Sequence, residues 1–287
     1  MHGLPRILIV AAAVLALAAC SAVRLSYNNA DTLLRYMAWD YFDLDSGQSE
    51  HMQAAIARLH RWHRANEIPD YAALAAEAGK RVERGVTRED VAWAIANLRS
   101  RIRRVTARGA QDAAPILATL GPAQIAALEH KFAEKNEKYA KEYLSNDERK
   151  RHKAQLDRTL DRFHDFLGEL TGEQRTKVDR FVAEHARYVE LRFEDRQRWQ
   201  HEVVALLRRY RQPEELGAHL SDLLLHPETR RAEEFAREER RWEEDLAALL
   251  VDLNGTLTAK QRARAVKRLE RYAEDFGALA MRSKEGA

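Results

Sequence analysis

Residues 171–210 read TGEQRTKVDRFVAEHARYVELRFEDRQRWQHEVVALLRRY and contain one glycine and no proline. Their apolar side chains recur at intervals of three and four residues, which is the spacing along one face of an α-helix. We therefore predict one continuous helix of about 40 residues and about 60 Å over this stretch. The predicted apolar stripe consists of Val178, Phe181, Val182, Tyr188, Val189, Phe193, Trp199, Val203, Leu206, Leu207 and Tyr210.

The same pattern extends through most of the chain. The 287 residues include only 12 glycines and 6 prolines, below the average use of about 7% and 5%, and β-rich folds need both residues at their turns. No segment alternates apolar and polar residues for long enough to indicate a strand. We predict an all-α protein, an elongated bundle of about nine or ten amphipathic helices. Residues 20–287 form a single helical domain in this interpretation, with a candidate hinge at 109–122.

The charged residues exclude some functions. Lys and Arg number 48 against 45 Asp and Glu, so the formal net charge is only +3. Their signs are interleaved along the predicted helices, which is typical of solvated helix faces. We therefore expect no nucleic-acid partner. The most basic stretch has Arg99, Arg101, Arg103, Arg104 and Arg108, which a helix distributes around its circumference. Its candidate partners are anionic lipid, lipopolysaccharide phosphates or an acidic protein, and the alternative is a solvated run that supports the helix.

The N-terminus indicates a cellular compartment. Residues 7–19 are uniformly apolar and precede Cys20, the only cysteine. Thirteen apolar residues suit a signal peptide and are too few for a membrane-spanning helix, which needs about 20. The tetrapeptide Leu17-Ala18-Ala19-Cys20 resembles the lipobox of bacterial lipoproteins. This resemblance implies that residues 1–19 are cleaved and that Cys20 carries acyl chains such as palmitate, enough for stable anchoring.

The residue after the cysteine bears on the location of such a lipoprotein. Ser21 stands where Asp would indicate retention in the inner membrane, so we expect anchoring in the outer membrane, facing the periplasm. The alternative is an ordinary signal peptide that leaves Cys20 as a free thiol.

Four predicted helix starts share a leucine followed four residues later by glutamine. A threonine at the N-cap and a glutamine three residues later can bond reciprocally, forming a capping box. Thr171 with Gln174 and Thr258 with Gln261 fit this pattern. The starts at Gln48 and Gln124 fit it less well, because Gly47 is a poor helix former and Gly121 has no capping side chain. The spacing between the four is irregular, which excludes a solenoid.

The two threonine starts, 170–175 and 257–262, resemble the LTxxQ motif of small periplasmic stress chaperones of the Spy and CpxP kind. Those proteins are dimeric helical cradles that hold unfolded clients without ATP. The resemblance covers five or six residues in each copy, and those chaperones are much shorter than this chain. A helix cap that occurs twice in a helix-rich protein is the alternative explanation.

Sites of other kinds have little support. His60, His63 and Glu67 lie on one face of a predicted helix. They are candidate zinc ligands, and the alternative is a surface pair of histidines flanked by aromatic residues. We expect no metal and no cofactor. The sequence contains no GxSxG, P-loop or HExxH motif, and Cys20 is assigned to lipid. We therefore do not expect an enzyme.

A longer resemblance covers essentially the whole mature chain. Residues 23–31, 40–48, 62–64 and 68–71 look like those of an uncharacterised family of proteobacterial lipoproteins, which implies a helical envelope protein and no assigned activity. His63 and Asp40 could be signature positions, with packing of the first helices as their expected role.

These observations lead to one functional hypothesis and two alternatives. The hypothesis is a lipid-anchored periplasmic protein that binds protein partners or unfolded envelope clients on a concave face of aromatic residues and arginines, with a possible homodimer. The main alternative is a structural scaffold lipoprotein with one dedicated envelope partner. A cell-wall hydrolase or metalloenzyme ranks last.

Overall fold

The computed structural model describes residues 22–281, in which twelve α-helices and one short 3-10 helix occur and no strand. The all-α prediction is confirmed, but nine or ten helices was an underestimate. The bounds are α1 (Ala22–Asn28), α2 (Ala30–Phe42), α3 (Ser46–Asn66), α4 (Ile68–Arg84), α5 (Arg88–Leu117), α6 (Pro122–Tyr143), α7 (Glu148–Leu167), α8 (Gly172–Glu184), α9 (Ala186–Arg209), α10 (Pro213–Leu225), the 3-10 helix Pro227–Arg230, α11 (Glu233–Gly255) and α12 (Ala259–Met281).

The predicted single helix over residues 171–210 is wrong. The chain breaks at His185, whose φ of −113° and ψ of 20° lie outside the α-helical range. Its N–H donates to the carbonyl of Val182, three residues back, instead of continuing the helical ladder. The change of direction brings Phe181 of α8 and Tyr188 of α9 against the same indole ring, that of Trp242. Tertiary packing therefore sets this break, and neither glycine nor proline marks it.

Other predicted boundaries also need correction. Helix α5 continues through Gly109 and Pro115, so residues 109–117 of the candidate hinge are helical and the chain turns only after them. Helix α7 begins at Glu148 and is capped by Asp147. Residues Pro227–Arg230 form a 3-10 helix, and α11 begins after it, at Glu233.

The two largest of the four buried apolar clusters in the described residues join most of the helices. The N-terminal core joins α6, α9 and α10 and the turn after α5, and the C-terminal core joins α7, α8 and α11. Helices α4 and α12 pack closely along their lengths. A Cβ added at Gly79 would lie 3.7 Å from the Cβ of Leu269. The buried members of the N-terminal core are Ala118, Leu120, Ile125, Leu128, Val204, Leu207, Leu216 and Leu220. Those of the C-terminal core are Leu160, Val178, Phe181, Val182, Leu249 and Leu253.

Over the described residues, no helix combines the length and apolar character needed to cross a bilayer. Cys20 and the signal-peptide prediction for residues 1–19 lie outside the described residues.

Candidate binding groove

A groove of about 540 Å³ lies where α4, α5, α7, α11 and α12 converge. Most of its surface is apolar, and it runs beside the C-terminal core. Aromatic rings line it on two sides, with Trp93 on α5 and Phe163 and Phe166 on α7. Arg81 and Arg162 lie at its polar margin. The groove therefore combines aromatic side chains with arginines, and its volume falls in the range of pockets that hold small molecules, about 300–1,000 Å³.

One face of α5 extends this apolar surface beyond the groove. Val91 and Ile95 line the groove, and Leu98 and Ile102 follow on the same face at helical spacing. Leu98 is 56% exposed and Ile102 is 53% exposed. We call these four side chains the α5 track. Val91 is only 5% exposed, so the open part of the track runs from Ile95 to Ile102, about 10 Å at a rise of 1.5 Å per residue.

Arginines lie on both sides of the α5 track, and each has an acidic partner. Arg99 pairs with Glu243 and Arg103 with Glu228 on one side. On the other side the pairs are Arg101 with Asp70, Arg104 with Glu67 and Asp70, and Arg108 with Asp112. The basic stretch is thus spread around the helix as predicted. Its charges are used in ion pairs within the chain.

The entrance to α5 fixes one wall of the groove. Thr87 and Asp90 form a capping box. The Thr87 hydroxyl accepts from the N–H of Asp90, and the Asp90 carboxylate accepts from the N–H of Thr87 at 3.0 Å. The Thr87 N–H and the guanidinium groups of Arg84 and Arg81 lower the pKa of the buried Asp90 carboxyl. Arg81 also covers the ring of Trp93, with 4.0 Å between its guanidinium carbon and the ring centre.

The four leucine–glutamine helix starts meet as two pairs. In the C-terminal glutamine pair, Gln174 and Gln261, each side-chain NH₂ donates to the other's Oε1, at 3.0 and 2.8 Å. The second hydrogen of each NH₂ goes to a main-chain carbonyl five residues before the partner glutamine, Thr256 for Gln174 and Glu169 for Gln261. Each Oε1 also accepts from its own N-cap N–H, at Thr171 and Thr258.

The N-terminal glutamine pair, Gln48 and Gln124, repeats this arrangement. Gln124 donates to the Asp43 carbonyl at 2.8 Å and Gln48 to the Thr119 carbonyl at 3.3 Å. The two amides bond each other at 2.6 and 3.3 Å. The irregular sequence spacing of the four starts is therefore explained by pairing in space, which joins distant helix N-termini.

The histidines weighed as zinc ligands hold α1 instead. The His63 ring hydrogen-bonds to two hydroxyls, through Nδ1 to Tyr27 at 2.9 Å and through Nε2 to Tyr71 at 3.3 Å. His60 contacts the Tyr27 carbonyl at 3.1 Å, while Glu67 is buried against Arg104. Burial raises the pKa of Tyr27 to about 12 and lowers that of His63. Within residues 22–281 no three His, Cys, Asp or Glu side chains come together as metal ligands.

The other signature candidate, Asp40, also has a packing role. It binds Lys131 at 2.8 Å and so links α2 to α6. Two exposed apolar surfaces are not predictable from the sequence, the end of the α5 track and the outer side of α2. Leu98 and Ile102 share a helix face with Val91 and Ile95. Periodicity identifies this apolar face, but it does not show how far along it another helix covers the side chains.

The structure is thus an all-helical protein with an open, mostly apolar groove. A family model described as a family of unknown function, DUF6279, matches residues 40–237. This is more than half of the chain, which therefore belongs to that family. No curated protein and no solved structure matches this chain. All of α12 and most of α2 lie outside the matched residues.

Proposed function

We propose that this chain is a lipid-anchored envelope protein that binds unfolded protein clients or partners in the apolar groove, without catalysis. The observation that carries the proposal is the α5 track, which begins inside the groove and continues into solvent at Leu98 and Ile102. Contiguous exposed apolar surface of this kind marks interaction sites.

The length of the track favours an extended protein segment as the occupant. The open part of about 10 Å matches about three residues of extended chain at 3.3 Å each. The aromatic rings of Trp93, Phe163 and Phe166 supply adaptable apolar contact, and surfaces that accept many clients have modest affinity for each. Exposed ion pairs beside the track, such as Arg103 with Glu228, contribute little stability and can exchange partners with a client.

The groove offers little for acid–base chemistry. Among the described residues that line it, Asp90 is the one carboxylate. Its pKa is lowered by hydrogen bonds from the Thr87 N–H and two arginines, the opposite of what a general acid needs. This supports binding over catalysis.

Two further features support an envelope chaperone in particular. The starts at Thr171 and Thr258 resemble the LTxxQ motif of Spy- and CpxP-type chaperones, and their glutamines pair in the structure. The lipobox-like residues ending at Cys20 support an acyl anchor, and Ser21 supports the outer membrane, with the body in the periplasm. The motif resemblance also implies a homodimer.

The test is suppression of client aggregation. Purified chain is added to a reduced or heated client without nucleotide, and light scattering is followed. Wild type is expected to suppress aggregation at near-stoichiometric amounts. Leu98→Asp should require about tenfold more protein, because burying one leucine is worth about 1.5 kcal/mol or more. Ala94→Trp, which fills the groove from α5, should have a similar effect.

The matched control is Leu33→Asp, since Leu33 of α2 is 59% exposed and lies outside the groove. It should suppress aggregation as wild type does. Failure of the wild type to suppress aggregation would contradict the chaperone function. The scaffold alternative predicts that crosslinking from position 98 in cells captures one envelope protein, whereas a chaperone gives many.

A further inference from the structure

Helix α2 is amphipathic in the reverse of the usual sense. Its half-buried face carries Asp31, Arg35, Ala38 and Phe42, and Asp31 and Arg35 form an ion pair at 3.5 Å on this side. Its exposed side carries large apolar and aromatic residues. These residues, which we call the outer face of α2, are Leu33 (59% exposed), Leu34 (39%), Tyr36 (61%), Met37 (45%) and Trp39 (60%).

The charged residues of 30–40 are Asp31, Arg35 and Asp40, whose side chains are 38%, 38% and 25% exposed. Asp40 follows Tyr36 by four residues and Leu33 by seven, so it lies on the same side of the helix as the outer face. Its charge is compensated by Lys131 of α6 at 2.8 Å. A helix in water normally exposes its charges more than its large apolar groups. In α2 most of the large apolar side chains are more exposed than the charged ones, which favours an apolar environment outside the protein.

Helix α1 places this face close to the N-terminal segment. Tyr27 binds His63 at 2.9 Å, and Arg64 of α3 binds the Asn28 side chain at 2.7 Å, so α1 is fixed to the body. Leu25 on α1 is 62% exposed. Ala22 follows Cys20 by two residues, a span of at most about 7 Å. Whatever holds Cys20 or the apolar residues 7–19 in a bilayer thus holds α1 and α2 beside that bilayer.

We propose that the outer face of α2, together with Leu25, inserts into the lipid interface of the membrane that holds the N-terminus. This inference rests on the anchor in the proposed function. Tyr and Trp favour the interface between headgroups and acyl chains, and leucine and methionine supply the apolar area. The insertion orients the body, because α1 and α2 are joined to α3, α6 and α12 by contacts within the chain. A lipid anchor alone would leave the groove free to turn in any direction.

The experiment uses the acylated full chain, in which Cys20 is blocked and an introduced cysteine is the unique thiol. Leu33→Cys is labelled with an environment-sensitive fluorophore and reconstituted in vesicles of phosphatidylethanolamine and phosphatidylglycerol. Some vesicles contain lipids brominated at shallow or deep positions. The matched control is Leu98→Cys, a leucine of similar exposure on α5.

We expect the label at position 33 to shift to shorter wavelength and to be quenched more by shallow than by deep bromines, given insertion of about 5–10 Å. The label at position 98 should show neither effect. Equal, water-like signals at both positions in vesicle-bound protein overturn the proposal. A label at position 33 that is shielded from water but insensitive to bromine, in a chain that elutes as a dimer, also overturns it in favour of a second copy.

Failure of the anchor is visible separately. A wild-type chain that takes up the thiol label has an unblocked Cys20, which contradicts the acyl anchor of the proposed function. The measurement then moves to Cys20→Ser with Leu33→Cys and added vesicles. Quenching there supports lipid contact by the outer face of α2 on its own, and its absence overturns the inference.

Discussion

The two glutamine pairs make the same hydrogen bonds in different surroundings. In the C-terminal pair Gln174 is 0% and Gln261 6% exposed, and both N-caps are threonines. In the N-terminal pair both glutamines are partly exposed, and the N-caps are Asp45 and Gly121. The same arrangement thus occurs once in a buried site with two complete capping boxes and once in a partly exposed site. In the exposed site Asp45 completes its capping box and Gly121 lacks the capping side chain. The comparison separates the contribution of the hydrogen bonds from that of their burial.

Burial should make the C-terminal pair far more sensitive to a change of chemistry. Gln174→Glu keeps the shape but replaces a donor by an oxygen that faces the carbonyl of Thr256 and the Oε1 of Gln261. An uncompensated buried charge should lower the free energy of unfolding by about 3–5 kcal/mol. The matched variant Gln48→Glu can be hydrated and should lose about 1 kcal/mol. Urea unfolding followed by far-UV circular dichroism measures both.

Two outcomes bear on this prediction. The loss in Gln174→Glu should shrink at acidic pH, where the new carboxyl becomes protonated and can donate again. Equal losses in the two variants would mean that burial of the C-terminal pair does not decide its energetics.

The same contrast shows what the sequence could predict. The threonine starts were recognisable because a capping box is local, confined to residues such as Thr171 and Gln174. The pairing of Gln174 with Gln261, 87 residues apart, was not recognisable, because it depends on which helix ends meet in space. Other helix ends are also set by local residues. Thr87 caps the start of α5, and Gly168 ends α7 with a φ of 76° that glycine tolerates.

The candidate site was less predictable than the helices. The concave surface with aromatic residues and arginines was expected as a type, but Trp93, Phe163 and Phe166 come together only through packing of α5 against α7. The break at His185 was missed because no proline or glycine marks it. The outer face of α2 was not predicted, because the sequence does not show which side of this helix packs against α3 and α6.

A smaller effect should distinguish the two regions by pH. Burial lowers the pKa of His185, which lies next to the C-terminal core, and of His63, which holds α1. Near the unfolded pKa of about 6.5 the unfolded chain then binds more protons than the folded chain. The free energy of unfolding should therefore be unaffected above about pH 7 and fall as the pH drops below 6.5.

Single variants assign this pH dependence. His185→Gln and His63→Gln should each flatten part of the decline between about pH 6.5 and 5, as measured by urea unfolding at several pH values. His63→Gln should also loosen α1, since it weakens the contact with Tyr27, whereas His185→Gln should leave α1 unchanged in hydrogen exchange. A decline of the same size in both variants and in wild type would assign the effect to other groups.

The smallest effect concerns the caps themselves. Gly121 has the extended N-cap conformation, with φ −74° and ψ 166°, and lacks only the side-chain oxygen that Thr171 supplies. A Cβ at position 121 meets nothing closer than the Gln124 Oε1 at 3.8 Å, so serine fits. Gly121→Ser should raise the free energy of unfolding by a few tenths of a kcal/mol, whereas Thr171→Ala should lower it by about 1 kcal/mol. If Gly121→Ser brings no gain, the glutamine alone satisfies the N-terminal start, and the difference between the two pairs is one of burial and not of capping.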